Sequence, residues 1–368
     1  MNGREKIGVY VHIPFCTKKC DYCHFYVIPE KESWKERLTD CLLAHWNEWQ
    51  QKKPCKIRTL YFGGGTPALM GKRLPKLTEA FLPLMDEGAE ITLEANPENL
   101  TDEDLQIFKA AGFNRLSLGV QTLDETLLPI LGRTHTATTA ARAVERAAKF
   151  FDNISIDLMY DLPNQSLGSW KKTLDSAALL PITHLSLYNL TIEPHTSFYK
   201  RRHQLSLPAP SISAEMYEVA VETLEKHGLK QYEISAFSRE GFQAQHNLGY
   251  WQGVPFLGLG PSAYSYLDGS RFRCHAHFNR YCSAIEEGLS PLDFEEKLDV
   301  DAAAREQLVI ALRVLEGVKI EEMATLTEDT QNEIKKLMEQ GLLLIEKDHL
   351  KMTQQGIRFY DSIAETLI

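Results

Sequence analysis

Between residues 7 and 189, six short segments rich in Val, Ile, Leu, Tyr and Phe alternate with five longer amphipathic ones. This alternation limits the fold more than any other feature of the chain. Strands are expected at 7–13, 57–62, 90–94, 115–120, 154–158 and 184–189, with helices between them at 34–52, 74–86, 101–111, 136–151 and 168–180. Units of this kind, joined by short connections, assemble as a parallel sheet with helices outside it. Helix 101–111 has the sharpest boundaries: Thr101 as cap, Asp102, Glu103 and Asp104 in the first turn, and Gly112 as stop. The expected class is α/β. Six units fit a partial (βα)6, TIM-like barrel better than a closed eightfold one, with an open doubly wound sheet as the alternative.

A helix at 210–227 and strands at 232–237 and 256–266 extend this core. Beyond residue 290 the pattern becomes helix 300–316, helix 328–340, two short strands around Lys347-Asp348, and helix 354–366, an order that suggests a small winged-helix-like α+β module. Residues 291–368 hold 17 acidic against 9 basic side chains, so most of the net charge of −10 lies there. A nucleic-acid backbone calls for a basic footprint, so a packing or partner-docking role is expected instead, and no nucleic-acid partner. The organisation read from the sequence is a core over 1–240, an extension over 241–290 and a C-terminal module over 291–368. With 43% hydrophobic and 24% charged residues the composition is that of a globular protein. No apolar run approaches the ~20 residues that cross a bilayer, and the first residues lack a secretory pattern, so a cytoplasmic location is expected.

In a parallel βα sheet, chemistry gathers at the C-terminal ends of the strands. Strand after strand carries an unusual sequence there: Cys16, Cys20 and Cys23 after the first, Gly63-Gly64-Gly65-Thr66-Pro67 after the second, Glu94-Ala95-Asn96-Pro97, Gln121, Asp157 and Tyr188-Asn189 after the others. Six in register imply one shared pocket. The spacing Cys-x3-Cys-x2-Cys lacks the second ligand pair of a structural zinc site. It suits a [4Fe–4S] cluster with three protein thiolates and one open iron. His24 is assigned a structural or supporting role rather than that of fourth ligand, and His12 that of a donor beside the cluster. The glycine run lacks Walker A spacing and reads as a place of close backbone approach by a ligand.

Tyr10-Val11-His12-Ile13-Pro14-Phe15-Cys16, Cys20, Cys23 and GGGTP together resemble the radical S-adenosylmethionine superfamily, and more narrowly its oxygen-independent coproporphyrinogen III oxidase (HemN-like) group. The resemblance runs through EANP (94–97), GFNRLSLGVQT (112–122), LGRTH (131–135), DLMYDLP (157–163), YNLTIEP (188–194), QYEIS (231–235), HNLGYW (246–251) and GLGPSA (258–263), which is most of 7–290. It implies a [4Fe–4S] cluster on the three cysteines with S-adenosylmethionine on the open iron. It also implies cofactor contacts from Tyr10, Tyr22, Gly64, Gly65, Thr66, Glu94, Gln121, Arg133 and Asp157, and a C-terminal domain of HemN type over the last residues. Arg133 can pair with the cofactor carboxylate, and Glu94 or Asp157 can accept its ammonium or hydroxyl hydrogens.

Two departures separate the chain from the oxidases. Phe25 stands where they carry a further cysteine, and the first strand begins almost at once. With HNLGYW, these make the chain resemble the heme chaperones of the HemW type. That resemblance implies heme as cargo and acceptor hemoproteins as partners, with His246 as the candidate axial ligand and Tyr250 and Trp251 as an aromatic wall. The rival is the coproporphyrinogen III oxidase itself, in which a radical starts decarboxylation of propionates to vinyls. A weaker rival is a radical enzyme on an unrelated substrate. The sequence leaves open whether the chain is an enzyme, whether it is a monomer or a homodimer, and whether it touches a membrane peripherally.

Overall fold

All six expected parallel strands are present in a computed structural model, which describes residues 5–368. They are β1 (Lys6–Ile13), β2 (Lys56–Gly64), β3 (Met85–Ala95), β4 (Arg115–Gln121), β5 (Asn153–Tyr160) and β6 (His184–Asn189), side by side in chain order. Between them run α1 (Glu32–Lys52), α2 (Leu74–Phe81), α3 (Asp102–Ala110), α4 (Ala137–Ala147) and α5 (Leu167–Ala178). Local chemistry sets several helix starts. Thr101 and Asp104 form a reciprocal capping box on α3, while Thr136 and Ser166 accept backbone N–H bonds at the starts of α4 and α5. After α6 (Pro210–Lys226), the short strands β7 (Lys230–Glu233) and β8 (Ala236–Ser238) extend the sheet antiparallel beyond β6.

Helix α7 (Gln245–Trp251) leads into β9 (Phe256–Leu259), which pairs parallel to β1 on its free side. Strands β10 (Tyr264–Leu267) and β11 (Ser270–Cys274), helix α8 (Phe278–Glu286) and strand β12 (Leu292–Lys297) follow. The sheet therefore runs β12-β11-β10-β9-β1-β2-β3-β4-β5-β6-β8-β7, twelve strands whose two margins do not join. It is an open, partial barrel rather than a closed one. Its parallel strands alternate in character. Val9, Val11, Leu60, Phe62, Leu93, Leu116, Leu118, Ile154, Ile156, Leu185 and Leu187 are buried in the main core. The intervening residues are polar: Tyr10, His12, Thr59, Tyr61, Glu94, Arg115, Ser117, Asp157 and Ser186 occupy the opposite face. An interior lined this way is built to hold a polar ligand, not to pack shut.

Several sequence expectations shift. The helix expected at 74–86 stops at Phe81, because Pro83 cannot continue it, and β3 begins at Met85. The strand expected at 256–266 breaks at Gly260, whose φ of 102° sends the chain back antiparallel, and the one at 232–237 divides around Ile234-Ser235. Helix 300–316 ends at Ala311, and helix 354–366 divides at Phe359 into two. Residues 292–297, expected in the C-terminal module, form an edge strand of the large sheet instead.

The C-terminal elements are α9 (Val300–Ala311), β13 (Val318–Lys319), α10 (Glu328–Glu339), β14 (Leu343–Glu346), β15 (His349–Met352), α11 (Gln354–Arg358) and α12 (Tyr360–Leu367). They enclose their own apolar core, with Leu308, Leu312, Ile334, Leu337, Leu350 and Ile363, under a three-stranded sheet in the order β13-β15-β14. At the tip of the β14–β15 hairpin, Lys347 and Asp348 both take positive φ (48° and 63°), as a two-residue turn between right-twisted strands requires. Among the described residues no helix is long and apolar enough to cross a membrane.

Candidate functional site

The cysteine loop leaves β1 at the C-terminal mouth of the sheet and is tied down at several points. Phe15–Cys16 pairs with Ile28–Pro29, Ile28 donates its N–H to Pro14 O (2.7 Å), and Asp21 donates its own to Leu131 O (3.1 Å). Phe198 N–H binds Asp21 O (2.9 Å), and Arg201 pairs with the Asp21 carboxylate. Tyr22 is inserted beside Leu131 and Phe198 and faces Cys20 and Arg133. Two cysteines are joined by one polar chain. Cys16 Sγ lies 3.7 Å from Thr66 Oγ1, and Asn96 Nδ2 donates to that hydroxyl (2.9 Å). Arg133 in turn donates to Asn96 Oδ1 (2.8 Å), Gly119 O (2.6 Å) and Cys20 Sγ (3.5 Å).

Burial pushes the Cys16 thiol up to about 11, against the opposing pull of the Thr66 hydroxyl, and raises Cys23 as well. Both hold their protons at neutral pH until a metal displaces them. Among the described residues no three Cys, His, Asp or Glu side chains form a cage for a single metal ion. The donor set nevertheless fits a cluster: three thiols on a single anchored loop, with Arg133 and Lys19 near the charge that thiolates would carry.

The glycine run also lets the chain pack closely against itself. Gly65 N–H donates to Ile13 O (2.8 Å) and Thr66 N–H to Phe15 O (2.8 Å). A Cβ on Gly65 would lie 2.6 Å from Phe15 O, and one on Gly64, at φ 114°, 2.6 Å from the His12 ring. What approaches the glycines closely is the protein's own β1 end and cysteine loop. His12 stands behind that loop, its Nδ1 accepting from Tyr10 (3.0 Å) and its Nε2 donating to Tyr26 O (3.2 Å).

On the inner face, Glu94 accepts from Tyr61 OH (2.7 Å) and from Gly64 N–H (3.1 Å). Enclosure on most sides pushes its carboxyl up to about 7, with Asp157 contributing. Asp157, beside Ser186 and Ser117 (3.4 Å), is raised to about 6, again mainly by enclosure. Tyr10 lies close to Glu94, and Gln121, at φ 68°, brings its amide to the same Gly119 corner as Arg133 and Asn96. Arg133 Nε is buried with no partner among the described residues. Two carboxyls for an ammonium or ribose hydroxyls, and a guanidinium with a donor to spare for a carboxylate, fit S-adenosylmethionine. The fold thus brings all the cofactor-contact residues expected from the sequence to one end of the sheet.

A cavity of about 630 Å³ opens beside this loop, walled largely by Phe25, Tyr26, Tyr250, Trp251, Phe256 and Tyr264, with His24, Arg271 and Ala303 on its border. The expectation for His246 is not met by this arrangement. The residue is buried and does not border the cavity. Its Nδ1 is paired with Thr59 Oγ1 (2.8 Å), its Nε2 with Tyr250 OH (2.8 Å), and its ring stacks on Tyr61. Burial lowers its pKa to about 3. Neither ring nitrogen is free to bind iron. Tyr250 and Trp251 do form cavity wall, as expected.

Tyr61 and Ser117 escaped the sequence reading of the site, and Asn96 entered it only as part of the strand-end segment 94–97, with no role of its own. Their signal was the period-2 placement of polar residues along strands that otherwise read as buried, in register with Glu94 and Asp157.

Residues 10–177 match the family model of the radical SAM superfamily, and residues 298–359 that of the HemN C-terminal domain. The heme chaperone HemW of Bacillus subtilis is 34% identical over 95% of this chain and 96% of its own length. That of Lactococcus lactis is 33% identical over 98% and 97%. The chain belongs to the HemW family. Its superfamily's cofactor set, a [4Fe–4S] cluster and S-adenosylmethionine, comes with that membership. The solved structure of the coproporphyrinogen III oxidase HemN from Escherichia coli superposes with a TM-score of 0.86, covering 99% of this chain and 90% of that one, at 22% identity. The HemW family thus shares the oxidase's fold. Phe25 is half exposed on the cavity border.

Proposed function

We propose that this chain is a heme chaperone: it takes up heme in the aromatic cavity and passes it to acceptor hemoproteins, in the cytoplasm. The observation that carries the reading is the cavity itself, whose flat aromatic walls suit a macrocycle and which opens beside the cysteine loop. Cys16, Cys20 and Cys23 hold the cluster, and Tyr10, Tyr22, Gly64, Gly65, Thr66, Glu94, Gln121, Arg133 and Asp157 surround S-adenosylmethionine. When bound, cluster and cofactor supply one-electron chemistry.

The chain's own residues position and balance charge. Arg133 ties the third and fourth strand ends to Cys20 and meets the cofactor carboxylate with its spare N–H. Glu94, protonated near neutrality when the site is empty of cation, gives up that proton as the ammonium arrives. The acidic C-terminal module is the surface that meets the acceptor. The test is an anaerobic titration of the reconstituted protein with heme, followed by an assay with coproporphyrinogen III and S-adenosylmethionine. Stoichiometric heme binding without decarboxylation supports the chaperone, and decarboxylation over many turnovers overturns it in favour of the oxidase.

A further inference from the structure

We propose that His24, not His246, supplies the axial nitrogen to the iron of a metalloporphyrin seated in the aromatic cavity. The inference rests on the heme-carrying reading above and assigns it an iron ligand. His24 borders the cavity and is exposed, and its ring has no hydrogen-bond partner among the described residues. The Phe25 ring lies against it, with centroids 4.6 Å apart, which restricts the imidazole without occupying either nitrogen. The backbone on both sides is fixed by the anchored loop: Cys23 N–H bonds Cys20 O (3.2 Å), and Lys19 Nζ donates to Phe25 O (3.3 Å). An imidazole on an anchored segment, at the border of an apolar cavity of macrocycle size, is the arrangement that haem proteins use for a proximal ligand.

The alternative ligand fails on several counts at once. Iron binding by His246 requires Tyr250 to leave Nε2 or Thr59 to leave Nδ1, and the displaced hydroxyl would then lose its partner. The ring would also have to leave its stack on Tyr61 and reach a cavity that it does not border. The cavity wall further constrains the porphyrin's orientation. Its one arginine, Arg271, already pairs with Glu296 (2.7 Å) and Glu306 (2.9 Å), so the wall offers the porphyrin carboxylates no uncommitted cation. The propionates therefore point to the open side and the apolar edge points inward, against Tyr250, Trp251 and Phe256.

The experiment is a hemin titration of the full chain with its cluster reconstituted, read by the Soret band in wild type, His24→Ala and His246→Ala. Metal-free protoporphyrin IX is titrated in parallel, read by tryptophan fluorescence. His24→Ala is expected to shift the Soret band and weaken hemin binding about tenfold or more, while protoporphyrin IX binding is unchanged. Added imidazole should restore the wild-type band, whatever the variant's cluster content. His246→Ala should keep the wild-type band position, and Ala303→Trp, which fills the cavity from α9, should weaken both porphyrins. An unchanged band in His24→Ala, or protoporphyrin IX binding that ignores Ala303→Trp, overturns the assignment while leaving heme carriage standing. A wild-type protein that binds no hemin overturns the reading beneath it.

Discussion

Glu90 joins two parts of the molecule that the chain keeps 150 residues apart, and replacing it should be costly in a defined way. Its carboxylate is buried and accepts the N–H groups of Gln245 and His246, both at 3.0 Å, at the start of α7. The guanidinium of Arg115, 2% exposed, lies 3.9 Å away. Opposite charges ~4 Å apart attract by about 4 kcal/mol at an effective dielectric of ~20. Breaking such a buried pair from one side typically costs about 3–5 kcal/mol, because the remaining charge is stranded. Glu90→Gln keeps the shape but sets an amide NH2 against one of the two backbone N–H groups, so its cost has a larger part from the stranded Arg115 and a smaller one from the lost bond to α7.

The variant should lower the free energy of unfolding by about 3 kcal/mol in urea, followed by circular dichroism, with an unchanged m value. Combining it with Arg115→Met removes the stranded charge, so the double variant should recover most of that loss and retain a deficit of about 1 kcal/mol for the weakened bonds to α7. Because α7 carries Tyr250 and Trp251 into the cavity wall, Glu90→Gln should also weaken porphyrin binding. A single-variant cost below about 1 kcal/mol, or two costs that simply add, would refute the argument that Glu90 neutralises Arg115.

Three further outcomes follow from the mouth of the sheet. Thr66→Val removes the hydroxyl between Cys16 and Asn96 and leaves a half-buried amide short of a partner. It should cost about 1–3 kcal/mol and reduce the iron retained after reconstitution, measured by iron content and cluster absorption. Gly65→Ala drives a methyl group into Phe15 O and should loosen the cysteine loop, seen as faster hydrogen exchange of the amides of Gly65 and Thr66. The Glu94 carboxyl, raised to about 7, binds its proton more tightly in the folded than in the unfolded chain. Its contribution to stability is therefore full below the unfolded pKa, near 4.5, and is lost as pH rises through about 7. Over pH 6 to 8 the cofactor's cation should bind more tightly as Glu94 ionises, and calorimetry should find that slope flattened in Glu94→Gln.

The parallel sheet and its mouth were legible because they depend on local signals. Alternating strands, capped helices such as that from Asp102, and glycines or polar residues at strand ends are all written within a few positions of where they act. Cys16, Cys20, Thr66 and Asn96 could be named from such signals and Arg133 from the family resemblance, but not their linkage into one chain, which depends on how the loops fold over one another. The breaks at Gly260 and Phe359 and the edge-strand position of 292–297 depend on partners far away in sequence. His246 shows the limit most sharply. Its neighbours in HNLGYW mark it as special, yet Thr59, Tyr61 and Glu90, which hold its ring and backbone, come from strands more than 150 residues earlier.

One margin of the open sheet is covered from outside. The turn after α9 lies along β7, with Ile234 N–H bonding Arg313 O (3.1 Å) and Leu315 N–H bonding Tyr232 O (3.1 Å). Arg313 also reaches Glu233 (3.4 Å), and at the far side of the cavity Glu306 of α9 holds Arg271. Helix α9 and the turn after it thus clasp both flanks of the barrel. A chain truncated after residue 299 would keep every strand of the large sheet yet expose the backbone of β7 as an adhesive edge, and would strip Ala303, Glu306, Gln307 and Ile310 from the cavity wall. Such a fragment should self-associate, and the C-terminal module is inseparable from the barrel as a unit of production.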